Sequence, residues 1–84
     1  MSLMNKSVYS AEYQNFLNYL IAARQDANIT QATLANRMSV DQSFISKCER
    51  GVRRVDVIEL FGFCDALALD PVQFIRQLNQ EKSP

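Results

Sequence analysis

The chain has no histidine, only two cysteines, two glycines and two prolines, and its nine basic and nine acidic residues leave no formal net charge. Without histidine, and with Cys48 and Cys64 too far apart for a Cys-x-x-Cys pair, the sequence spells out no zinc or dithiol site. Both cysteines fall at apolar positions of their segments and are expected to be reduced core residues. It has no glycine-rich phosphate loop and no serine or cysteine with an evident base, so neither catalysis nor a cofactor is expected. Scarce glycine and proline beside 48% hydrophobic residues fit an all-helical chain better than a turn-rich β fold or a disordered tail. The apolar run "LFGFCDALAL" is interrupted by Asp65 and is too short to cross a bilayer, and the N-terminus lacks a charged region followed by an apolar signal core. A cytoplasmic protein with no membrane partner is the expectation. A chain this short is one domain, burying about 60% of the surface its unfolded form exposes.

The zero net charge argues weakly against nucleic acid, but the charges are unevenly spread. Residues 24–54 hold Arg24, Arg37, Lys47, Arg50, Arg53 and Arg54 against Asp26, Asp41 and Glu49, while the remainder of the chain is acidic by the same margin. A basic middle between acidic ends is the pattern left by an electrostatic footprint confined to one face.

Periodicity divides the chain into five helices. Tyr13, Phe16, Leu17, Leu20 and Ile21 recur at helical spacing, so residues 11–26 form a first helix that Ser10 can cap. Residues 1–10 are read as an N-terminal arm, and Met1-Ser2-Leu3, ahead of a second methionine, are left out of the fold reading. Thr30 caps a short second helix, 31–38, that buries Leu34, Ala35 and Met38. Asp41 caps a third, 42–50, with only Ile45 and Cys48 clearly inward, and Gly51 suits the left-handed stop that follows. Asp56 with Glu59 three residues on is a capping-box signature for a fourth helix burying Leu60, Phe61, Cys64, Leu67 and Ala68. Asp70-Pro71 opens a fifth, carrying Val72, Phe74, Ile75 and Leu78, before a frayed tail over 79–84. The folded domain is expected to span 11–78.

Two short helices joined by a tight turn, the second poor in inward apolar residues, form a helix-turn-helix arrangement. A helix entering the major groove of B-DNA needs outward side chains that donate or accept hydrogen bonds at its N-terminal positions. Gln42, Ser43, Ser46 and Lys47 supply them, so double-stranded DNA is the expected partner. Phe44 is expected to pack partly against the second helix with some DNA contact, and Arg37 to be a solvated charge.

The sequence resembles the Xre/Cro family of bacterial and phage repressors over about residues 16–78. The resemblance rests on Arg24, Ile29-Thr30-Gln31, Leu34-Ala35, Val40, Ser43-Phe44-Ile45-Ser46-Lys47, Glu49-Arg50-Gly51, the run Arg53 to Leu60, and Leu67-Ala68-Leu69-Asp70-Pro71. It implies a five-helix, lambda-repressor-like DNA-binding domain and a role in transcriptional regulation. It further implies that Gln31 meets a DNA phosphate, that Gln42, Ser43 and Lys47 face base edges, and that Arg50, Arg53 and Arg54 lie near the backbone. A structural ion pair between Arg24 and Glu49 is also implied. The chain departs from the family pattern at Ser39, where glycine is usual in the turn, and at Val55, where proline is common. A homodimer is expected through Val72, Phe74, Ile75 and Leu78, since the last helix carries more apolar residues than one-sided packing needs. The rival reading is the antitoxin of a toxin–antitoxin pair, with a toxin as protein partner, or a restriction–modification controller protein.

Overall fold

The computed structural model describes residues 6–82, with side chains over 11–80, and these residues form five helices. They are α1 (Lys6–Asp26), α2 (Gln31–Met38), α3 (Gln42–Glu49), α4 (Val57–Ala66) and α5 (Pro71–Lys82). Helix α1 begins five residues before the periodic pattern does, so Ser10 lies inside it and not at its start. The apolar repeat marks where a helix must bury a face, and α1 extends past that stretch. Of the expected arm, residues 1–5 lie outside the described residues. Helix α5 likewise continues to Lys82 through much of the expected tail, of which 83–84 lie outside.

One core joins all five helices: Leu17 and Leu20 from α1, Leu34 and Ala35 from α2, Ile45 and Cys48 from α3, Leu60, Phe63 and Cys64 from α4, then Leu67 and Phe74. On α4 the buried positions 60, 63, 64 and 67 follow the i, i+3, i+4, i+7 stripe of a helix with one inward face. This corrects the sequence reading, which places Phe61 inward and overlooks Phe63. Phe61 is half-exposed, on the opposite side of Gly62, while Phe63 is sealed from solvent. Ala68, also expected inward, is exposed in the left-handed conformation that ends α4 (φ 58°). There its N–H donates to the Asp65 carbonyl and the Leu69 N–H to that of Cys64.

The junctions are held by local chemistry. Thr30 accepts from the Thr33 N–H at 3.1 Å, and Asp56 and Glu59 form both halves of the capping box. Asp41 stands at the N-cap of α3, but its side chain makes no capping bond. Arg37 is not the solvated charge expected: from the last turn of α2 its Nη1 donates to the Ala66 carbonyl at the end of α4, 3.0 Å away. A cation at that carbonyl complements the negative end of the α4 dipole and ties α2 to α4.

Candidate nucleic-acid interface

The turn between α2 and α3 is built without glycine. Ser39 takes the left-handed conformation (φ 58°, ψ 42°), its N–H donating to the Asn36 carbonyl while the Val40 N–H donates to that of Ala35. A side chain in this conformation costs about 1 kcal/mol, offset here by the two hydrogen bonds that close the end of α2. Gly51 (φ 78°) ends the other side of α3, where an added Cβ would press on Leu17 Cδ1 at 3.3 Å.

Between these turns α3 is eight residues, about 12 Å, long, comparable to the width of the major groove. Ile45 and Cys48 are fully buried, and burial raises the Cys48 thiol pKa, with the nearby Arg53 charge opposing. Gln42, Ser43 and Lys47 are exposed and Ser46 is half-buried. Positions 42, 43, 46, 47 and 50 fall on one helical face, so the four candidate base-reading side chains and Arg50 are brought together. Arg50 stands exposed at the C-cap with its Nε 3.3 Å from the Ser46 carbonyl.

Beneath that face, the Arg24 guanidinium grips Glu49 with Nε on Oε2 at 2.7 Å and a second nitrogen on Oε1 at 3.0 Å, and its third donates to the Ile29 carbonyl at 2.8 Å. The two side chains are 12% and 6% exposed, so the pair fixes the end of α3 to α1 from inside the protein. Gln31 is drawn into the same cluster, its Nε2 donating to Glu49 Oε1 at 2.8 Å. Expected at a phosphate, Gln31 in this structure has an amide N–H committed to a buried carboxylate.

The remaining expected backbone contacts are also engaged within the chain. Phe44 is half-buried, its ring stacked 6.4 Å from that of Phe63. Arg53 is in a two-point pair with Glu59, Nη2 to Oε2 at 2.7 Å and Nη1 to Oε1 at 2.8 Å, and lies 4.7 Å above the Phe44 ring. The Glu59 carboxyl is held below its ordinary range, first by the Arg53 hydrogen bond and then by the Asp56 N–H. Arg54 lies 3.9 Å over the Tyr13 ring, whose hydroxyl accepts from the Val55 N–H at 2.9 Å. That bond gives a physical reason for the departure at Val55, since proline has no N–H to donate. Sequence reasoning missed Glu59 and Tyr13 at this site; Glu59 was legible only as a capping residue, and Tyr13, 42 positions from Val55, left no local signal.

The four residues expected at a dimer interface do not share one face. Val72 and Ile75 are exposed, at 63% and 47%, and Leu78 is partly buried against the core. Phe74 is corrected outright: it is 3% exposed and packs edge-on against Phe16 and tilted on Tyr19, facing α1 inside its own chain. Val57, Ile58 and Phe61 on α4, by contrast, are exposed.

The helix-turn-helix family model matches residues 20–74. Among solved structures, an XRE-family like protein from Pseudomonas syringae pv. tomato is 40% identical, covering 98% of this chain and 100% of its own, with a TM-score of 0.89. The restriction-modification controller protein C.AhdI from Aeromonas hydrophila is 28% identical over 76% of this chain and 97% of its own, at 0.69. The clp gene regulator ClgR from C. glutamicum, 22% identical over 86% and 94%, shares the fold with a TM-score of 0.73. None of the curated protein sequences matches the chain. With five helices packed in this order, a tight turn before α3 and a family match over residues 20–74, the chain belongs to the XRE-like helix-turn-helix family of DNA-binding regulators.

Proposed function

We propose that the chain is a transcriptional repressor that binds double-stranded DNA sequence-specifically as a homodimer, with α3 in the major groove. The observation that carries this is the division of α3: Ile45 and Cys48 are sealed in the core, while Gln42, Ser43 and Lys47 face solvent as donors and acceptors, with Ser46 at their edge. An ammonium at Lys47 can donate to guanine acceptors, and the Gln42 amide can pair with an adenine edge. Arg50 and Arg54 flank this face as candidate phosphate contacts, with the half-buried Phe44 beside it. Gln31 reaches a phosphate only through the N–H that Glu49 leaves over. Such a protein works where DNA is, in the cytoplasm of a bacterial cell; among the described residues no helix is long and apolar enough to cross a membrane.

Dimerisation is proposed through the outer faces of α4 and α5, which pack on each other and expose Val57, Ile58, Phe61, Val72 and Ile75. Exposed large apolar side chains concentrated on two neighbouring helices mark an interaction surface. A two-fold pair would address half-sites about 34 Å apart. Selecting bound sequences from a random DNA pool tests the function: recovery of a two-fold symmetric site is the expected result, and a pool that does not converge refutes it. For the dimer, sedimentation of wild type beside Ile75→Asp should show a pair that the substitution dissolves. A second reading, a restriction–modification controller, is favoured by the likeness to C.AhdI and is decided by whether a methyltransferase gene lies alongside.

A further inference from the structure

We propose that Arg53 is a positioning residue for the DNA-reading helix, a brace that clamps the last turn of α3 to the start of α4, and not a phosphate contact. The inference rests on the DNA-binding reading above. Its basis is the number of elements that meet at one guanidinium. Nη1 donates both to Glu59 Oε1 and to the Arg54 carbonyl, each at 2.8 Å, and Nη2 binds Glu59 Oε2 at 2.7 Å. The flat face of the group covers Phe44 of α3, whose ring stacks on Phe63 in the core. Glu59 uses the same Oε1 to accept from the Asp56 N–H, so the carboxylate that holds Arg53 also completes the α4 capping box.

The backbone of the same residue points to the same task. The N–H groups of Val52 and Arg53 both donate to the Lys47 carbonyl, at 3.0 and 3.2 Å. Arg53 therefore closes the loop onto the helical turn that carries Lys47, and its side chain pins that loop to α4 through Glu59. A free arginine at a loop would release about one condensed counterion per phosphate it meets. Here the carboxylate already screens the charge, and reaching a phosphate would mean giving up a two-point pair, 45% exposed on the arginine and 22% on the glutamate, together with the Arg54 carbonyl bond and the Phe44 contact. What Arg53 supplies is the fixed orientation of the Lys47 turn, which base reading needs and non-specific binding does not.

Glu59→Gln gives the two roles opposite signs. Glutamine at the third helical position still completes a capping box, so α4 keeps its start while the charge pairing goes. Binding isotherms are measured for wild type, Arg53→Gln, Glu59→Gln and the double variant, on the selected duplex and a scrambled one, across salt concentrations. For a brace, each single variant lowers the preference for the selected duplex by about tenfold, and the double variant falls no further because the two residues act as one unit. Arg53→Gln then leaves the slope of log K against log salt unchanged. For a phosphate contact, Arg53→Gln weakens both duplexes alike and reduces the slope by about 0.9, and Glu59→Gln, freeing the guanidinium, tightens both. That outcome overturns the brace, as does full preference retained in both single variants.

Amide hydrogen exchange without DNA separates this failure from that of the DNA-binding reading. The Val52 and Arg53 amides should exchange faster in Arg53→Gln than in wild type, and equal protection overturns the brace whatever the duplexes show. A wild-type chain that prefers no duplex refutes base reading itself, independently of the exchange result.

Discussion

Replacing Arg24 with methionine should be among the costliest single changes in the molecule outside the apolar core. The substitution keeps a long apolar stem and removes three donors, two of them on Glu49 and one on the Ile29 carbonyl. Glu49 cannot turn to water instead, because its side chain is 6% exposed. Breaking a buried pair by deleting one member costs about 3–5 kcal/mol, since the surviving charge stays desolvated. Glu49 keeps the 2.8 Å contact from Gln31, which places the loss near the lower end, at about 3 kcal/mol. For a domain of this size that corresponds to a fall in melting temperature of roughly 12–24 °C. Circular-dichroism melts give the number directly, and at a low temperature where the variant is still folded its preference among duplexes should match wild type. A fall under about 4 °C, the size expected of a surface pair, would refute the reasoning. Exchanging both partners for apolar residues, Arg24→Met with Glu49→Leu, should recover part of the loss, because the stranded charge is the larger part of the cost.

Ser39→Gly should raise stability by about 0.5–1 kcal/mol in urea unfolding, because glycine enters the left-handed turn without strain; no gain would mean that the Ser39 conformation is not strained. Val55→Pro should cost about 1 kcal/mol by deleting the bond to the Tyr13 hydroxyl, and much less in a Tyr13→Phe background. Because the folded Glu59 carboxyl lies below its unfolded value of about 4.3, the stability it adds is complete above that value and lost as pH falls through the folded one; wild type should therefore lose more than Glu59→Gln between pH 5 and 3 in acid titrations of unfolding. Burial raises the pKa of both thiols, so a thiol reagent at neutral pH should react with neither Cys48 nor Cys64 until the chain unfolds.

What the sequence made legible was local chemistry. The Thr30 cap, the Asp56–Glu59 box, the stop at Gly51 and the inward pair Ile45 and Cys48 each depend on residues within four positions of one another, and all are where the pattern puts them. The errors have one source. Phe61 and Phe63 are equally apolar, and only the packing of α4 against its neighbours decides which is buried. Phe74 looks like surplus on α5 until Phe16 and Tyr19 of α1 are seen to cover it. Arg37, Arg53 and Gln31 read as surface groups, because their partners Ala66, Glu59 and Glu49 stand 29, 6 and 18 positions away.

Those partners change what the uneven charge of the chain means. Six cations lie between residues 24 and 54, and their excess in sequence suggests a broad basic surface. In the fold, Arg24 serves Glu49, Arg53 serves Glu59, Arg37 closes a helix end and Arg54 covers an aromatic ring. Lys47 and Arg50 remain without an acidic partner among the described residues, and both belong to the outer face of α3 or its cap. Neither a carbonyl nor a ring cancels a guanidinium charge, so Arg37 and Arg54 keep theirs along with Lys47 and Arg50. With one or two phosphate contacts per protomer, the proposed dimer would double a modest electrostatic grip. Its salt slope should accordingly be shallow, about −2 to −4 for a dimer with one or two such contacts per protomer. Net neutrality is then compatible with DNA binding, and in the proposed reading it shifts the balance of affinity from electrostatic grip toward the fit of Gln42, Ser43, Ser46 and Lys47 to base edges.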